Sequence, residues 1–265
     1  MSGRRIREKL AAGETVFGTV LFYTTHPGVA DVLPDEGLDF VMVHVEHNVL
    51  DLADYVGLRY ALQSKGIACI ARTHNRDPDD VSRICDTFPD GVVVPYAEDV
   101  EQLKRLSAAA KCRPLKGQAL ERFVREGQWP SPKSREYVER FCADTLFLPM
   151  IESPTAVENL DAICAVPGVD AVFVGPNDLT VAMGIPEQRD DPAFVQIMQR
   201  IIDTAERHGI AAGAHFSNLE HAQRTIEQGG RFIPFSSDLK LIQTGVPEFL
   251  QALGTRATRG AEQVI

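Results

Sequence analysis

Cysteine, long apolar runs and positive charge are all scarce in this sequence. The five cysteines are scattered, odd in number and form no C-x-x-C pair, which argues against a disulfide framework or a thiolate zinc site. No uncharged run is long enough to span a bilayer, and no apolar stretch follows the charged start as in a signal peptide. We therefore expect a soluble, cytoplasmic protein.

The charge balance narrows the range of partners. Lys and Arg together number 27 against 37 Asp and Glu, for a net charge of −10. A nucleic acid or an anionic membrane surface would have to bind against this average field. We expect neither as a partner, which leaves small molecules and further copies of the chain.

Short apolar, β-branched runs recur along the whole chain. There are eight, at residues 15–22, 39–45, 67–72, 91–95, 145–152, 169–175, 210–216 and 230–235. Most are continuous, which is typical of parallel strands covered on both faces, and segments with helical spacing lie between them. This order predicts an α/β protein with a single (β/α)8 TIM barrel over residues 1–265. A doubly wound sheet is the alternative, but no G-x-G-x-x-G follows the first run.

Two segments depart from the alternation of strand and helix. Residues 111–143 are too long for a plain loop before the fifth strand, and such an excursion is often a lid or an interface element. Residues 238–254 form a C-terminal helical segment after the last strand. We expect no second domain.

Polar side chains concentrate at the ends of the apolar runs. In a (β/α)8 barrel the carboxyl ends of the strands form one mouth, where the chemistry takes place. The residues at these ends are His44, Glu46, His47, Arg72, Glu152, Gly175, Pro176, Asn177, Asp178 and His215. Carboxylates, a guanidinium and imidazoles should therefore meet at a single site.

Two of these carboxylates suggest a metal. Glu152 closes an apolar run, so its charge needs a cation or must be neutralised. Together with Asp178 on the next strand it would offer oxygen ligands that suit Mg²⁺ or Mn²⁺. Asp178 could instead cap the following helix. Arg72 could pair with Asp77 or Glu46, or receive a substrate carboxylate as a bidentate fork.

Several motifs together carry a family resemblance over nearly the whole chain. They are K-L-A-A-G-E-T-V-F-G-T near the start, V-E-H at 45–47, A-R-T-H-N-R-D-P at 71–78, V-V-V-P at 92–95, P-M-I-E-S at 149–153 and V-F-V-G-P-N-D-L-T at 172–180. With these motifs the sequence resembles the metal-dependent, class II 2-keto-acid aldolases of the HpcH/HpaI type.

The resemblance implies a pyruvate-handling barrel that cleaves or forms a 4-hydroxy-2-keto acid, giving pyruvate and an aldehyde through a metal-stabilised enolate. Glu152 and Asp178 match the two ligands of a divalent metal, Mg²⁺ or Mn²⁺ and possibly Co²⁺. Arg72 matches the arginine that holds the pyruvate unit. Backbone amides around Gly175, Pro176, Asn177 and Asp178 would meet the pyruvate carboxylate.

Two further roles and an assembly are also implied by the resemblance. His47 matches the acid/base histidine, and Asp86 matches the carboxylate that orients it. The family forms homo-oligomers, so we expect a hexamer or a trimer, in which residues 238–254 could cross between subunits.

The sequence departs from the family pattern at three places. His44 stands where the family usually has Asp, and His215 stands where an aliphatic residue is common, so both are candidate specificity residues. A glycine-rich loop is reduced to Pro114-Leu115-Lys116-Gly117-Gln118. A changed aldehyde partner is therefore plausible.

Other functions stay open on the sequence alone. An oxaloacetate decarboxylase or an acyl-CoA lyase would use the same metal and enolate, and a catalytically silent ligand-binding barrel is the non-enzymatic alternative. A Schiff-base aldolase is disfavoured, because all seven lysines lie outside the eight apolar runs.

Overall fold

Eight parallel strands form the centre of the molecule. The computed structural model describes residues 2–34, 36–45, 51–142 and 144–254. The strands are β1 Val16–Leu21, β2 Phe40–His44, β3 Ala68–Arg72, β4 Gly91–Val94, β5 Leu146–Ile151, β6 Ala171–Val174, β7 Ala211–Ala214 and β8 Phe232–Ser237. Their spatial order is β7-β6-β5-β4-β3-β2-β1-β8. A parallel bridge between Phe216 and Phe235 brings the chain after β7 against β8. The predicted (β/α)8 barrel is confirmed, and each of the eight apolar runs coincides with one strand, β8 extending two residues beyond its run.

Helices alternate with the strands and surround them. They are α1 Ser2–Ala11, α2 Leu52–Ser64, α3 Pro78–Cys85, α4 Val100–Lys111, α5 Gly117–Glu126, α6 Pro132–Cys142, α7 Pro154–Glu158, α8 Leu160–Cys164, α9 Pro176–Ala182, α10 Pro192–Arg207, α11 Leu219–Glu227 and α12 Asp238–Ala252. Several helices begin at a capping aspartate: the side chains of Asp51, Asp99 and Asp191 accept hydrogen bonds from first-turn amides.

The core has two layers. Inside the barrel lie side chains such as Val20, Met42, Ile70 and Leu148, and α1 closes the strand-start end with the buried Ile6. The second layer fills the space between strands and helices, with Tyr55, Phe147 and Phe194 among its largest members. Full burial of one such aromatic side chain contributes roughly 1.5–3 kcal/mol.

Glycine allows the barrel to close at one point. A Cβ atom placed on Gly213 of β7 would lie 1.6 Å from the carbonyl oxygen of Phe232 in β8. No side chain fits at that separation, so the close approach of β7 to β8 requires glycine at this position.

The excursion at 111–143 consists largely of α5 and α6. It leaves the carboxyl end of α4 and returns to the start of β5, so it lies at the strand-start end of the barrel. It therefore does not cover this chain's own mouth, and its use as a subunit interface stays a prediction.

The C-terminal helix α12 has no buried residue. Its exposed apolar side chains include Leu241, Ile242, Val246 and Phe249. This surface agrees with the predicted role of 238–254 in oligomerisation, which stays a prediction. Among the helices of the described ranges, none is both long enough and apolar enough to cross a membrane.

Candidate active site

Three predicted site residues meet at the mouth of the barrel. Arg72 is the last residue of β3, Glu152 directly follows β5, and Asp178 lies in the first turn of α9 after β6. Arg72 Nη2 lies 3.4 Å from Glu152 Oε1, and both side chains are buried. A carboxylate with no solvent exposure needs nearby positive charge or hydrogen-bond donors to stay ionised, and Arg72 supplies part of that.

Tyr96, two residues beyond β4, connects the two carboxylates. Its backbone N–H donates to Glu152 Oε2 at 2.8 Å, and its hydroxyl donates to Asp178 Oδ1 at 2.9 Å. Burial raises the pKa of Tyr96 to about 12, and the hydrogen bond to Asp178 and that carboxylate's charge add to the effect. The phenol therefore keeps its proton at neutral pH and remains a donor to Asp178.

Gly175 leaves the space that Glu152 occupies. A Cβ atom on Gly175 would lie 2.6 Å from Glu152 Oε1, closer than any side chain tolerates. The amide of Gly175 donates to the carbonyl oxygen of Ile151 at 3.3 Å, and Pro176 has no N–H. The amides of the predicted anion-binding stretch that can meet a substrate are therefore those of Asn177 and Asp178.

The donor set at the mouth suits a divalent cation. Glu152 and Asp178 offer carboxylate oxygens near a tyrosine hydroxyl, and hard cations such as Mg²⁺ and Mn²⁺ prefer oxygen ligands. Within the described residues no group of three or more His, Cys, Asp or Glu side chains forms a ready metal cluster. The site therefore fits a cation held by two protein carboxylates, with the other positions left to water and substrate.

Two histidines lie at the same end of the barrel. His44, at the end of β2, is in register with Arg72, and its ring centroid lies 4.3 Å from that of Phe22. His215 follows β7, and its Nε2–H donates to the carbonyl oxygen of Ser236 at 3.0 Å, since a carbonyl can only accept. The predicted specificity residues are thus both placed at the rim.

Burial lowers the pKa of His215, and the charges of Arg189 and Arg72 lower it further, against the opposing effect of the Ser236 carbonyl. His215 is therefore neutral around pH 7. It adds no positive charge to the mouth.

Three other predicted residues remain to be located. Glu46 and His47 lie outside the described residues. Asp86 caps the carboxyl end of α3 before β4 begins, and its carboxylate pairs with Lys116 Nζ at 2.9 Å. Since α3 runs back from the mouth to the strand-start end, Asp86 lies away from Arg72 and Glu152 within a single chain, and its role as the carboxylate that orients His47 stays a prediction.

Sequence reasoning missed two residues that shape the mouth. One is Tyr96, although it directly follows V-V-V-P at the end of the fourth run, the same position that singled out residues on other strands. The other is Asp238, whose carboxylate accepts the backbone N–H groups of Phe22, Tyr23 and Thr24. Burial opposes ionisation of Asp238, but these amides outweigh it and lower its pKa.

Comparison with known proteins finds relatives that match most of the chain. The family model described as HpcH/HpaI aldolase/citrate lyase matches residues 19–244. A 2-dehydro-3,6-dideoxy-6-sulfogluconate aldolase from Pseudomonas putida is 31% identical over 86% of this chain and 88% of its own length. A 5-keto-4-deoxy-D-glucarate aldolase from Klebsiella pneumoniae is 28% identical, with the same two coverages.

A solved structure extends the agreement to the whole fold. The crystal structure of an HpcH/HpaI aldolase from Desulfitobacterium hafniense superposes with a TM-score of 0.81 at 25% identity. It covers 96% of this chain and 98% of its own. Residues 19–244, which the family model matches, include β2 to β8 and the residues of the mouth described above. This chain therefore belongs to the HpcH/HpaI aldolase/citrate lyase family, a family of enzymes that includes carbon–carbon lyases.

Proposed function

We propose that this protein is a divalent-metal-dependent aldolase that cleaves a 4-hydroxy-2-keto acid to pyruvate and an aldehyde. The observation that carries the proposal is the meeting of Glu152, Asp178 and Arg72 at one mouth, with Tyr96 joined to both carboxylates. The curated relatives support it, since both are aldolases named for deoxy keto acids. A polar, sugar-derived 2-keto acid is accordingly the substrate class we propose.

Glu152 and Asp178 are the residues that would hold the cation, which we take to be Mg²⁺ or Mn²⁺, with Co²⁺ as a further candidate. When bound there, a divalent cation supplies Lewis-acid chemistry, drawing electron density from the keto group of the substrate. The carboxylate pair also places negative charge where a cation is needed.

Arg72 binds the carboxylate of the pyruvate unit. Its guanidinium is buried at the mouth beside Glu152, and a planar guanidinium matches a carboxylate in a bidentate fork. The first-turn amides of Asn177 and Asp178 add donors to the same carboxylate. Asn177 is itself held by a hydrogen bond from Arg189 to its side-chain oxygen.

Bond cleavage needs a base at the C4 hydroxyl, and we assign that role to His47. The base takes the hydroxyl proton, the C3–C4 bond breaks, and its electron pair passes into the pyruvate enolate as the aldehyde leaves. Protonation of C3 then gives pyruvate, so the proton lost from C4–OH is balanced by the one gained at C3. His44 packs against Phe22 and His215 bonds to Ser236 at the rim of the mouth, and we propose that these residues select the aldehyde.

The test is proton exchange at the pyruvate methyl group in D₂O, followed by NMR, on protein stripped of metal and then resupplied with Mg²⁺ or Mn²⁺. We expect exchange only after metal is restored, followed by aldol cleavage of a 2-keto-3-deoxy sugar acid under the same conditions. Free metal without protein is the control. Absence of both reactions under every divalent metal would exclude the proposed function.

A further inference from the structure

We infer that Tyr96 is a positioning residue that sets the two carboxylates of the mouth in place for a divalent cation. The inference rests on the proposed function, because it assumes that Glu152 and Asp178 hold the cation. It assigns a role to a residue that neither touches the substrate in the scheme above nor supplies a ligand itself.

The contacts of Tyr96 reach both carboxylates from one residue. Its backbone N–H holds Glu152 Oε2 at 2.8 Å, and its hydroxyl holds Asp178 Oδ1 at 2.9 Å. Glu152 and Asp178 come from different strand–helix units, β5–α7 and β6–α9, so Tyr96 joins their positions directly through a third unit. One oxygen of each carboxylate is thereby fixed in direction.

The backbone of Tyr96 is held in a conformation that a tyrosine rarely adopts. Its φ is 45°, in the left-handed region that favours glycine. A non-glycine residue stays in that region only where its surroundings determine it, and such residues cluster at functional sites. Here the conformation turns the amide toward Glu152 and the ring toward Asp178.

Hydrogen bonds on both sides of the residue maintain this conformation. The Tyr96 carbonyl accepts from Arg76 Nη1 at 3.0 Å and from the Glu98 amide at 2.9 Å. The Ala97 amide donates to the carbonyl oxygen of Met150 in β5 at 3.0 Å. Glu98 is in turn fixed by Ser153 Oγ, which donates to its carboxylate at 2.5 Å. The turn after β4 is therefore tied to the strand that delivers Glu152.

This arrangement lowers the reorganisation needed when a cation binds. Without the hydroxyl, Asp178 would be free to rotate about its side-chain torsions, and its carboxylate would have to be ordered by the cation. Partners that orient metal-binding carboxylates are usually worth 10- to 100-fold in metal affinity. We expect the Tyr96 hydroxyl to be worth about 10-fold or more by the same reasoning.

The experiment compares Tyr96→Phe with Tyr137→Phe on the full chain. Both variants lose one phenolic hydroxyl, but Tyr137 lies on α6 at the other end of the barrel, where its ring packs against Phe141. Binding of Mn²⁺ is measured by the loss of the free-ion electron paramagnetic resonance signal. Thermal unfolding without metal checks that each variant is folded, and the Mn²⁺ dependence of pyruvate methyl exchange gives kcat separately from the metal requirement.

We expect Tyr96→Phe to bind Mn²⁺ about 10-fold or more weakly than the unchanged protein, to recover its kcat at saturating Mn²⁺, and to unfold at a similar temperature. Tyr137→Phe should match the unchanged protein. Equal or tighter Mn²⁺ binding by Tyr96→Phe would overturn the inference and leave the proposed function standing. A loss of kcat that saturating Mn²⁺ does not restore would also overturn it, since the hydroxyl would then act on the substrate. An unchanged protein that binds no Mn²⁺ would remove the proposed function and the inference together.

Discussion

The two ends of the barrel use buried carboxylates in opposite ways. At the strand-start end, Asp39, Asp90 and Asp170 directly precede β2, β4 and β6. Each accepts the backbone N–H of the second residue of a neighbouring strand, Asp39 from Phe17, Asp90 from Cys69 and Asp170 from Phe147. The repeated arrangement ties β2 to β1, β4 to β3 and β6 to β5 where the barrel begins.

Cations complete the pairing of Asp39 and Asp170, and the side-chain amide of Gln63 donates to Asp90 at 2.8 Å. Lys9 Nζ lies 2.7 Å from Asp39, while Arg7 Nε at 2.7 Å and Lys111 Nζ at 2.5 Å both contact Asp170. Lys9 and Arg7 belong to α1, so the first helix is fixed across the base of the barrel by charge as well as by the buried Ile6. Here each carboxylate has matched donors, and its effect is on stability.

At the mouth the balance is different. Glu152 is completely buried, yet Arg72 approaches it only to 3.4 Å, and the donors from Tyr96 to both Glu152 and Asp178 are neutral groups. Carboxylates neutralised at close range would have little affinity left for a cation or a substrate. The same residue type therefore stabilises the fold at one end and, in the proposed function, serves to bind a cation at the other.

The largest effect should come from the mouth. We expect Glu152→Gln to lower metal-dependent pyruvate methyl exchange by about 10³-fold or more, because it removes a charged ligand from the cation site. The temperature of unfolding should stay the same or rise, since a buried charge is removed. Exchange by NMR and thermal unfolding by circular dichroism measure the two quantities. Exchange at the unchanged rate would show that Glu152 is not part of the site.

The opposite result, a less stable protein with unchanged exchange activity, should come from a change at the strand-start end. Asp170→Asn leaves the largely buried Lys111 without its carboxylate, so we expect the free energy of unfolding to fall by about 3 kcal/mol. Exchange per folded molecule should not change. Urea unfolding measures the loss, and Asp161→Asn, at an exposed ion pair on α8, is the control with little expected effect. Reduced exchange in folded Asp170→Asn would mean that the two ends are not independent.

The strands and several residues of the mouth could be predicted from the sequence. The continuous apolar runs specified the strands, because a strand covered on both faces admits few polar residues, and the residues just past each run gave Arg72, Glu152 and Asp178. The acidic residues before β2, β4 and β6 carry no comparable signal, since their partners are backbone amides and cations brought close only by the closed barrel.

Other features escaped prediction for physical reasons. The sequence does not specify at which end of the barrel a helix terminus lies, so the pairing of Asp86 with Lys116 could not be predicted. Tyr96 stands at the end of the fourth run, but its left-handed backbone, which a tyrosine disfavours, is set by surrounding hydrogen bonds that the sequence does not show. The helical segment between the fifth and sixth runs is two short helices, α7 and α8, that meet at Asn159.

A smaller change at the mouth tests whether the Glu152 carboxylate must keep its position. In Gly175→Ala the new Cβ would lie 2.6 Å from Glu152 Oε1, although the backbone at φ −92° accepts alanine. The carboxylate must shift, and a displacement of about 1 Å can cost about 10²-fold in rate. We expect weaker Mn²⁺ binding and exchange in a folded protein. Gly57→Ala on α2, whose nearest contact would be 3.4 Å away, is the matched control and should keep its activity.

The smallest predicted effect concerns the pH dependence of stability. Burial lowers the pKa of His215, so the unfolded chain takes up a proton at this residue at higher pH than the folded protein does. The stability that neutral His215 contributes is therefore fully present above about pH 6.5, the ordinary histidine pKa. It is lost as the pH falls from there through the folded pKa. In His215→Gln that part of the pH dependence should disappear, and urea unfolding at several pH values between 8 and 5 would measure it. Parallel curves for the variant and the unchanged protein would show that His215 is protonated equally in both states, and that the rim of the mouth tolerates a positive charge there.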